Sequence, residues 1–380
     1  MKILFVSEYI LNKPQGAKES AKAHYNSLCA IAGKENVDVL ALTLSEKVVD
    51  NQYICMQGYT NKCQELWNVL RGYPFMINHR IVFKFVELIK NNSYDLLFID
   101  NSYFGSLVKI AKKNMPQLPV IVYYHGVKFS HVIQEMKHRK NFIFYIPKSI
   151  NMIYQERKTL KYADVNMLLN QRDSNALYHF YKRRADVIFP VYFDSQANIQ
   201  EVPDDTPEIF KILFVGGYFY PNIEGINWFA EKVIPYLKGN FRFYIVGRDL
   251  ELLKNTSEYL ANPNIEIVGT VSNLDYWYNL CNIVVGPIFS GEGMKTKTAE
   301  AMKYGKIYLG TDEAFCGYYG MEDFLCNSEY DFITTINNMI NYPEPKYVEY
   351  IRNIYLQDYS DKTADIILKR VFTKLGVNYE

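Results

Sequence analysis

The densest run of chemically capable residues lies at 290–300: Ser290-Gly291-Glu292-Gly293-Met294-Lys295-Thr296-Lys297-Thr298-Ala299-Glu300. Its two glycines permit a tight turn, and the pattern after them predicts a helix over 294–304 that stops at Gly305. A helix N-terminus offers unbonded N–H groups and positive partial charge, which suits a phosphate. Lys295 and Thr296, in the expected first turn, add a cation and a hydroxyl. Thr296 and Glu300 stand four apart and share one helix face, so a carboxylate lies a turn below the anion seat, where it can accept both hydroxyls of a ribose. Taken alone, Gly291-Glu292-Gly293 fits a plain strand-to-helix turn equally well, with Lys295 a solvated charge. A P-loop is excluded because Met294 stands where a glycine must precede Lys-Thr. A dehydrogenase fingerprint is excluded because neither Ser7-Glu8-Tyr9 nor Gly216-Gly217-Tyr218 completes G-x-G-x-x-G.

The elements that must position this loop show themselves through an internal echo. Lys2-Ile3-Leu4-Phe5-Val6 recurs as Lys211-Ile212-Leu213-Phe214-Val215. Each copy is a short apolar run ending in small or polar residues, the pattern of a strand buried on both faces of a parallel sheet. Further apolar strands are expected at 37–42, 96–99, 120–124, 165–169 and 187–189, then at 241–246, 265–268, 283–285 and 307–309. Helices are expected between them, among them 17–32 and 81–90. The alternation implies right-handed βαβ units and an α/β fold of two Rossmann-like, doubly wound domains. The expected organisation is a first domain over 1–192, a breaker-rich linker over 193–208 carrying Pro203 and Pro207, a second domain over 209–359, and a C-terminal helix within 360–380 that crosses back to the first domain. Two such domains face one another across a cleft built from the loops after their strands.

Composition narrows the function classes. The chain has 380 residues and a net charge of +1, so no global charge points to nucleic acid. The cysteines, Cys29, Cys55, Cys63, Cys281, Cys316 and Cys326, form no C-x-x-C pair and show no ligand-like spacing with histidine. A disulfide framework and a zinc site are therefore not expected, and reduced thiols fit a cytoplasmic protein. The start, MKILFVSEY, reads as a buried strand rather than a signal peptide, and no run of about 18 apolar residues exists to span a membrane.

Four ordered motifs in the second half resemble one branch of the retaining GT-B glycosyltransferases, the group 1 or family 4 class. These are Phe214-Val215-Gly216 followed by Tyr220-Pro221-Asn222; Val246-Gly247-Arg248; Val268-Gly269-Thr270-Val271; and the 291–305 string, in which Glu292 and Glu300 form E-x7-E. The resemblance is strong over about 210–320 and weaker in the first half. It implies transfer of a sugar from a nucleoside diphosphate sugar to a hydroxyl of a glycan or lipid-linked glycan, with retention of anomeric configuration. It also implies that Glu300 binds the ribose and Glu292 the transferred sugar, while Gly293, Met294, Lys295 and Thr296 hold the diphosphate. Gly216 and Gly217 let the backbone approach the phosphates, Arg248 adds a second cation, and Thr270 and Val271 lie beside the base. Many members carry an Arg and a Lys soon after the first strand of this domain. Residues 217–227 have neither, which leaves the leaving-group charge to Lys295 and Arg248. No Asp-x-Asp motif is present, so neither a metal nor another cofactor is expected.

In the first half, Gly16 lies in the loop that the resemblance brings towards the diphosphate or acceptor. His125, after strand 120–124, matches the position of a histidine that such enzymes place at the end of a first-domain strand, and it is the catalytic candidate there. Asp100 and Asn101 after 96–99 have weaker support. Residues 128–161 hold eight Lys or Arg against two Glu, interleaved with Phe, Tyr, Ile and Met. That pattern fits contact with anionic lipid headgroups at the inner face of a membrane, or a solvated helix face over a core. Two rivals remain at this stage. A sugar-nucleotide epimerase would convert donor without acceptor, and a non-catalytic sugar-nucleotide-binding scaffold would bind donor without turnover.

Overall fold

The computed structural model describes residues 1–11, 16–43, 52–59, 61–138, 145–254 and 256–379. The chain divides into two compact units, Met1–Pro190 with Ala364–Glu380, and Val191–Thr363. The first contains strands β1 (Ile3–Ser7), β2 (Val37–Thr43), β3 (Ile54–Gln57), β4 (Leu96–Ile99), β5 (Val120–Tyr124), β6 (Val165–Leu168) and β7 (Val187–Ile188). They form one seven-stranded sheet in the order β3-β2-β1-β4-β5-β6-β7, parallel throughout. The order reverses direction between β1 and β4, which makes that gap the switch point at which loops diverge and ligands find room. Every residue of β1, β4 and β5 is buried, as a sheet covered on both faces requires.

The helices of this unit are α1 (Gly16–Ala32), α2 (Lys62–Leu70), α3 (His79–Asn91), α4 (Gly105–Asn114), α5 (Lys128–His138), α6 (Ile146–Tyr162) and α7 (Gln171–Tyr181). Asparagine side chains cap three of them: Asn61 accepts from Cys63, Asn78 from Ile81 and Asn170 from Asp173. The start of α5 is met differently. Buried Glu156 of α6 accepts from the Lys128 amide at 2.9 Å and from the Tyr181 hydroxyl at 2.7 Å. Helices α4 and α6 touch backbone to backbone, since a Cβ built on Gly105 would lie 2.0 Å from the Gln155 carbonyl.

The second unit has β8 (Phe210–Val215), β9 (Phe241–Val246), β10 (Ile265–Gly269), β11 (Ile283–Gly286) and β12 (Ile307–Gly310). All pair in parallel in the order β10-β9-β8-β11-β12, with its switch point between β8 and β11. Its helices are α8 (Tyr220–Lys232), α9 (Asp275–Leu280), α10 (Thr296–Lys303), α11 (Glu329–Asn341) and α12 (Glu349–Asp358). The chain passes from the second unit to the first within α13 (Asp361–Lys374), whose Ala364, Leu368, Val371 and Phe372 are buried.

The strands stand within a residue or two of the sequence reading, with three differences. Strand β3 and helix α2 are not among the expected elements; β3 is half-buried at the sheet edge, and the apolar residues Leu66, Trp67 and Leu70 of α2 are exposed. The 193–208 segment, expected as a linker, belongs to the second unit. Lys211 is buried, and its ammonium bonds Asp204 at 2.8 Å and the carbonyl of Ile209 at 3.1 Å. The Asn279 amide reaches the Asn198 carbonyl at 2.7 Å, and the Tyr355 hydroxyl reaches that of Asp194 at 2.9 Å. Prolines and acids in that stretch mark irregular backbone, and irregular backbone is held here by side-chain bonds. Lastly, the helix expected from 294 starts at Thr296, because Lys295 is extended (φ −88°, ψ 113°).

Substituting Gly105→Ala must separate α4 from α6 or distort one of them. The expected cost is about 2 kcal/mol, the middle of the range for overpacking. It should appear as a melting temperature lower by about 5 °C in a unit of this size.

Candidate functional site

In each unit the residues singled out by sequence gather at the carboxyl ends of the strands, and each unit is built by itself. In the second, β8 ends in Gly216-Gly217. Gly247, at φ 139°, is pressed against this turn so closely that a Cβ on it would fall 1.7 Å from the Gly216 carbonyl, so only glycine fits. The Asn222 amide of α8 donates to the Gly217 carbonyl at 2.8 Å. Arg248 also lies at this turn: its carbonyl accepts from the Tyr218 amide at 2.9 Å, and its guanidinium is 3.8 Å from where a Gly217 Cβ would stand. Arg248 pairs with Asp249 at 3.4 Å, the surface pairing that the residue types allow, while remaining next to the glycines.

The 290–296 loop is shaped by Gly291 and Gly293, at φ 127° and 59°. Lys295 does not project from a first helical turn. Its ammonium folds back to the carbonyls of Glu292 (3.3 Å) and Gly293 (3.2 Å) and ion-pairs with Glu313 at 2.7 Å, while its own carbonyl accepts from Tyr318 at 2.8 Å. Lys295 is thus a fastener of the turn, with part of its charge met by Glu313. Gly293 and Met294 are buried in the turn, Glu292 is half-buried, and Thr296 begins α10 with no side-chain cap ahead of it. Glu300 lies one turn deeper and accepts from the Tyr278 hydroxyl at 3.0 Å. Burial, reinforced by the Glu300 charge, raises the Tyr278 pKa well above the usual phenol value, so Tyr278 stays a donor. Its ring stacks on Tyr304 at 4.8 Å, and the Tyr304 hydroxyl bonds Asp275.

Two positions expected beside a base are placed unequally. The Thr270 amide donates to Glu251 at 3.0 Å and its hydroxyl accepts from the Asp249 amide at 3.0 Å, so Thr270 ties two loops together. Val271 follows it, half-buried. A residue that the sequence reading passed over is Lys297, which is buried. Its ammonium donates to Asn222 Oδ1 at 2.6 Å and lies 4.2 Å from the Phe214 ring centre. The signal was a spacing, since Lys297 stands three after Met294 and four before Ala301, both buried, on one face of the expected helix.

In the first unit, Asp100 bridges the switch point. Fully buried, it accepts from the Ser7 hydroxyl at 2.9 Å on one oxygen, and from His24 Nδ1 (2.9 Å) and His125 Nε2 (3.1 Å) on the other. An ionised carboxylate can only accept, so His24 carries its proton on Nδ1 and His125 carries one on Nε2. That leaves His125 Nδ1 as the ring atom open to other chemistry. Burial alone would raise the Asp100 pKa, but the electrostatic attraction of the His125 ring and the bonds from His125 and His24 outweigh it and hold the group at about 2. His24 is pushed below its usual value by burial despite its bond to Asp100. Beside them Asn101 donates to Glu8, whose pKa burial raises even though Lys128 and Asn101 oppose it. Sequence reasoning placed His125 and, more weakly, Asp100 and Asn101 here. It missed His24, which is carried by α1, and Glu8, both distant in sequence from their partners. Gly16 heads α1, while residues 12–15 of the same loop lie outside the described residues.

Among the described residues, no three His, Cys, Asp or Glu side chains are grouped closely enough to hold a metal ion. None of their helices is long and apolar enough to cross a membrane.

Comparison with known proteins follows the same division. Residues 209–341 match the family described as "Glycosyl transferases group 1". No curated protein matches the sequence. Over nearly the whole chain the fold resembles solved glycosyltransferases with two Rossmann-like domains, the GT-B architecture. The lipopolysaccharide outer core galactosyltransferase WaaB in its apo form aligns with TM-score 0.67 and 14% identity, covering 98% of this chain and 100% of the other. HepE of Anabaena in complex with UDP gives TM-score 0.69 and 14% identity over 98% and 100%. The pneumococcal O-GlcNAc transferase GtfA in complex with UDP and GlcNAc gives 0.66 and 12% over 100% and 99%. At such identities the likeness carries the fold, and the family match carries the nature of the second unit.

The Asp100 cluster has a pH signature. A carboxylate depressed from 3.8 to about 2 contributes stability that is complete above pH 4 and lost as pH falls through 2. In Asp100→Asn, the drop in unfolding free energy between pH 5 and pH 2, read by urea denaturation, should shrink by about 2 kcal/mol relative to wild type.

Proposed function

We propose that this chain, whose residues 209–341 form a group 1 glycosyltransferase domain, transfers a sugar from a nucleoside diphosphate sugar to a hydroxyl of a glycan or lipid-linked glycan. The reaction we propose retains anomeric configuration and needs no metal. The observation that carries the reading is the joint placement of the Gly216-Gly217 turn, the open start of α10, and Glu300 one turn below it, oriented by Tyr278. Backbone amides at the helix start receive the diphosphate, and the Glu300 carboxylate takes the ribose hydroxyls. Arg248 and Val271 flank that seat. Thr270 supports the base-side loop in place of direct contact, and Glu292 is assigned to the transferred sugar. Breaking the anomeric C–O bond releases an anionic diphosphate, and dipoles and cations already fixed around it lower the barrier. His125, held by Asp100 with Nδ1 open, is assigned to the acceptor or the transferred sugar.

Contact with a membrane surface is part of the proposal. Within 128–161, residues 139–144 lie outside the described residues. Lys128 is buried, and Lys158 is turned to the Gly72 carbonyl at 2.8 Å. Exposed apolar side chains stand on α6, at Ile146, Ile150 and Tyr154, and on the adjoining α2, at Leu66, Trp67 and Leu70, besides Met136 and Tyr145; Trp67, Leu70 and Ile150 are 63%, 67% and 62% exposed. Lys62, Arg71, Arg157 and Lys161 are exposed on the same two helices and the turn after α2, against Glu65. Tryptophan and aliphatics with basic neighbours suit the headgroup zone of an anionic leaflet, which supports our assignment of the reaction to the cytoplasmic face.

Three measurements test these assignments. In a thermal-shift screen of nucleoside diphosphates and their sugars, at least one should raise the melting temperature; no shift with any would refute the donor assignment. Glu300→Ala should weaken the best nucleotide by about tenfold to a hundredfold, as loss of bonds to a charged group implies, while inorganic pyrophosphate binds as before. Trp67→Ser combined with Ile150→Ser should abolish co-sedimentation with phosphatidylglycerol vesicles and leave nucleotide binding intact.

A further inference from the structure

Lys297 is more deeply buried than a solvent-facing binding lysine would be, and its surroundings are specific. The Phe214 ring of β8 lies against its ammonium, and the Asn222 amide of α8 accepts from it at 2.6 Å. The same amide donates to the Gly217 carbonyl at 2.8 Å. Lys297 is therefore one hydrogen-bonded side chain away from the glycine turn that ends β8, the turn whose following residues lack the Arg and Lys expected there. A ring face and one amide oxygen are a sparse shell for a buried ammonium, which normally requires a paired charge.

The ionisable groups acting on it are few. β8 presents Phe214 and α8 presents Asn222, neither of which titrates. Lys295 from the preceding turn repels its charge, and Glu300 from its own helix attracts it. Burial first, and Lys295 second, lower its pKa to about 7, with Glu300 opposing. Near neutrality Lys297 is thus divided between amine and ammonium, and both forms can donate to Asn222.

Resting on the donor assignment above, we propose that a nucleoside diphosphate sugar enters the second unit together with one proton, which Lys297 takes up to become the counter-charge beneath the Gly216-Gly217 turn. The proton comes from solvent onto the Nζ lone pair, and no bond in the donor changes. The incoming diphosphate supplies the anion that the resting shell lacks. The charged ammonium then holds Asn222, and through it Gly217, more firmly. In this role Lys297 is a positioning residue, acting on the turn through Asn222.

The sign of the pH dependence follows from linkage. A group whose pKa rises on binding favours binding while it remains protonatable. Affinity should be flat below about pH 7 and weaken by up to tenfold per pH unit above it, until the pKa of the bound state is reached.

The test is calorimetry with UDP-glucose, GDP-glucose and ADP-glucose, whose diphosphates do not titrate near neutrality. The tightest binder is titrated at pH 8 in buffers of different ionisation enthalpy. Wild type should take up about 0.9 proton per donor bound, the fraction unprotonated at that pH. Lys297→Met should reduce the uptake to near zero and bind with little pH dependence from 7 to 9. Lys297→Arg, charged at every pH used, should bind without uptake and restore affinity at pH 8.5, an effect that a purely space-filling role would not produce. Donor binding by wild type without proton uptake, or uptake undiminished in Lys297→Met, overturns the proposal and leaves the donor assignment standing. If none of the three sugars binds, the donor assignment fails and the proposal falls with it.

Discussion

The carbonyl of Pro287 lies 1.9 Å from where a side chain on Gly225 would have to begin. That contact lets α8 come down onto the end of β11, and the rest of the second unit's site depends on it. With α8 seated there, Asn222, nearly one turn earlier, reaches both the Gly217 carbonyl and the Lys297 ammonium. Gly247 repeats the device on the other side of β8, where its α-carbon abuts the Gly216 carbonyl. Three loops from non-adjacent stretches of chain are thereby brought within hydrogen-bonding range, with the residues that compete for the space reduced to glycine. A parallel sheet buried on both faces has polar groups to offer only at its carboxyl edge, and these close backbone approaches decide which of them meet.

The two units solve opposite electrostatic problems. At the first switch point the buried charge is negative: Asp100 is ionised because three donors, Ser7, His24 and His125, converge on it. In the second unit lysines are drawn out of solvent, and they are treated unequally. Half-buried Lys295, beyond the carboxyl end of β11, has an acid partner in Glu313, and buried Lys211, at the amino end of β8, has one in Asp204. Lys297 has an amide oxygen and a ring face. An ion pair fixes a charge at little further response, whereas an amide and a ring leave the protonation state open to the next anion that arrives.

The strands were legible because unbroken apolar runs buried on both faces have few alternative readings, as in Ile3–Ser7 and Val120–Tyr124. The E-x7-E loop was legible as a motif, but its geometry was not. From sequence Lys295 looks like part of a helix's first turn. Whether a lysine at a helix start projects or folds back depends on a carboxylate eighteen positions later, Glu313, which no local pattern announces. His24 and Glu8 were hidden for a similar reason: one is on a helix and one follows a strand, and each is given meaning by a partner more than seventy positions away. Breaker residues at 193–208 signalled irregular backbone correctly, but irregular does not mean unattached, and the buried Lys211 that fastens the segment lies just outside it.

The missing Arg and Lys after β8 bear on how a donor's charge is met. Exposed side chains beyond β8 would meet a diphosphate directly, at the cost of ordering two long chains on each encounter. In the proposed donor site the cation is Lys297 of α10, the same helix that presents Glu300, and its side chain is ordered in advance by Phe214 and Asn222. On that proposal the ordering cost is met on folding and the electrostatic gain arrives when donor binds, because a buried ammonium interacts with an anion through less screening than an exposed one. Arg248, half-buried at the far side of the glycine turn and turned partly to Asp249, completes an arrangement in which backbone dipoles and prepositioned charge take the place of a mobile pair.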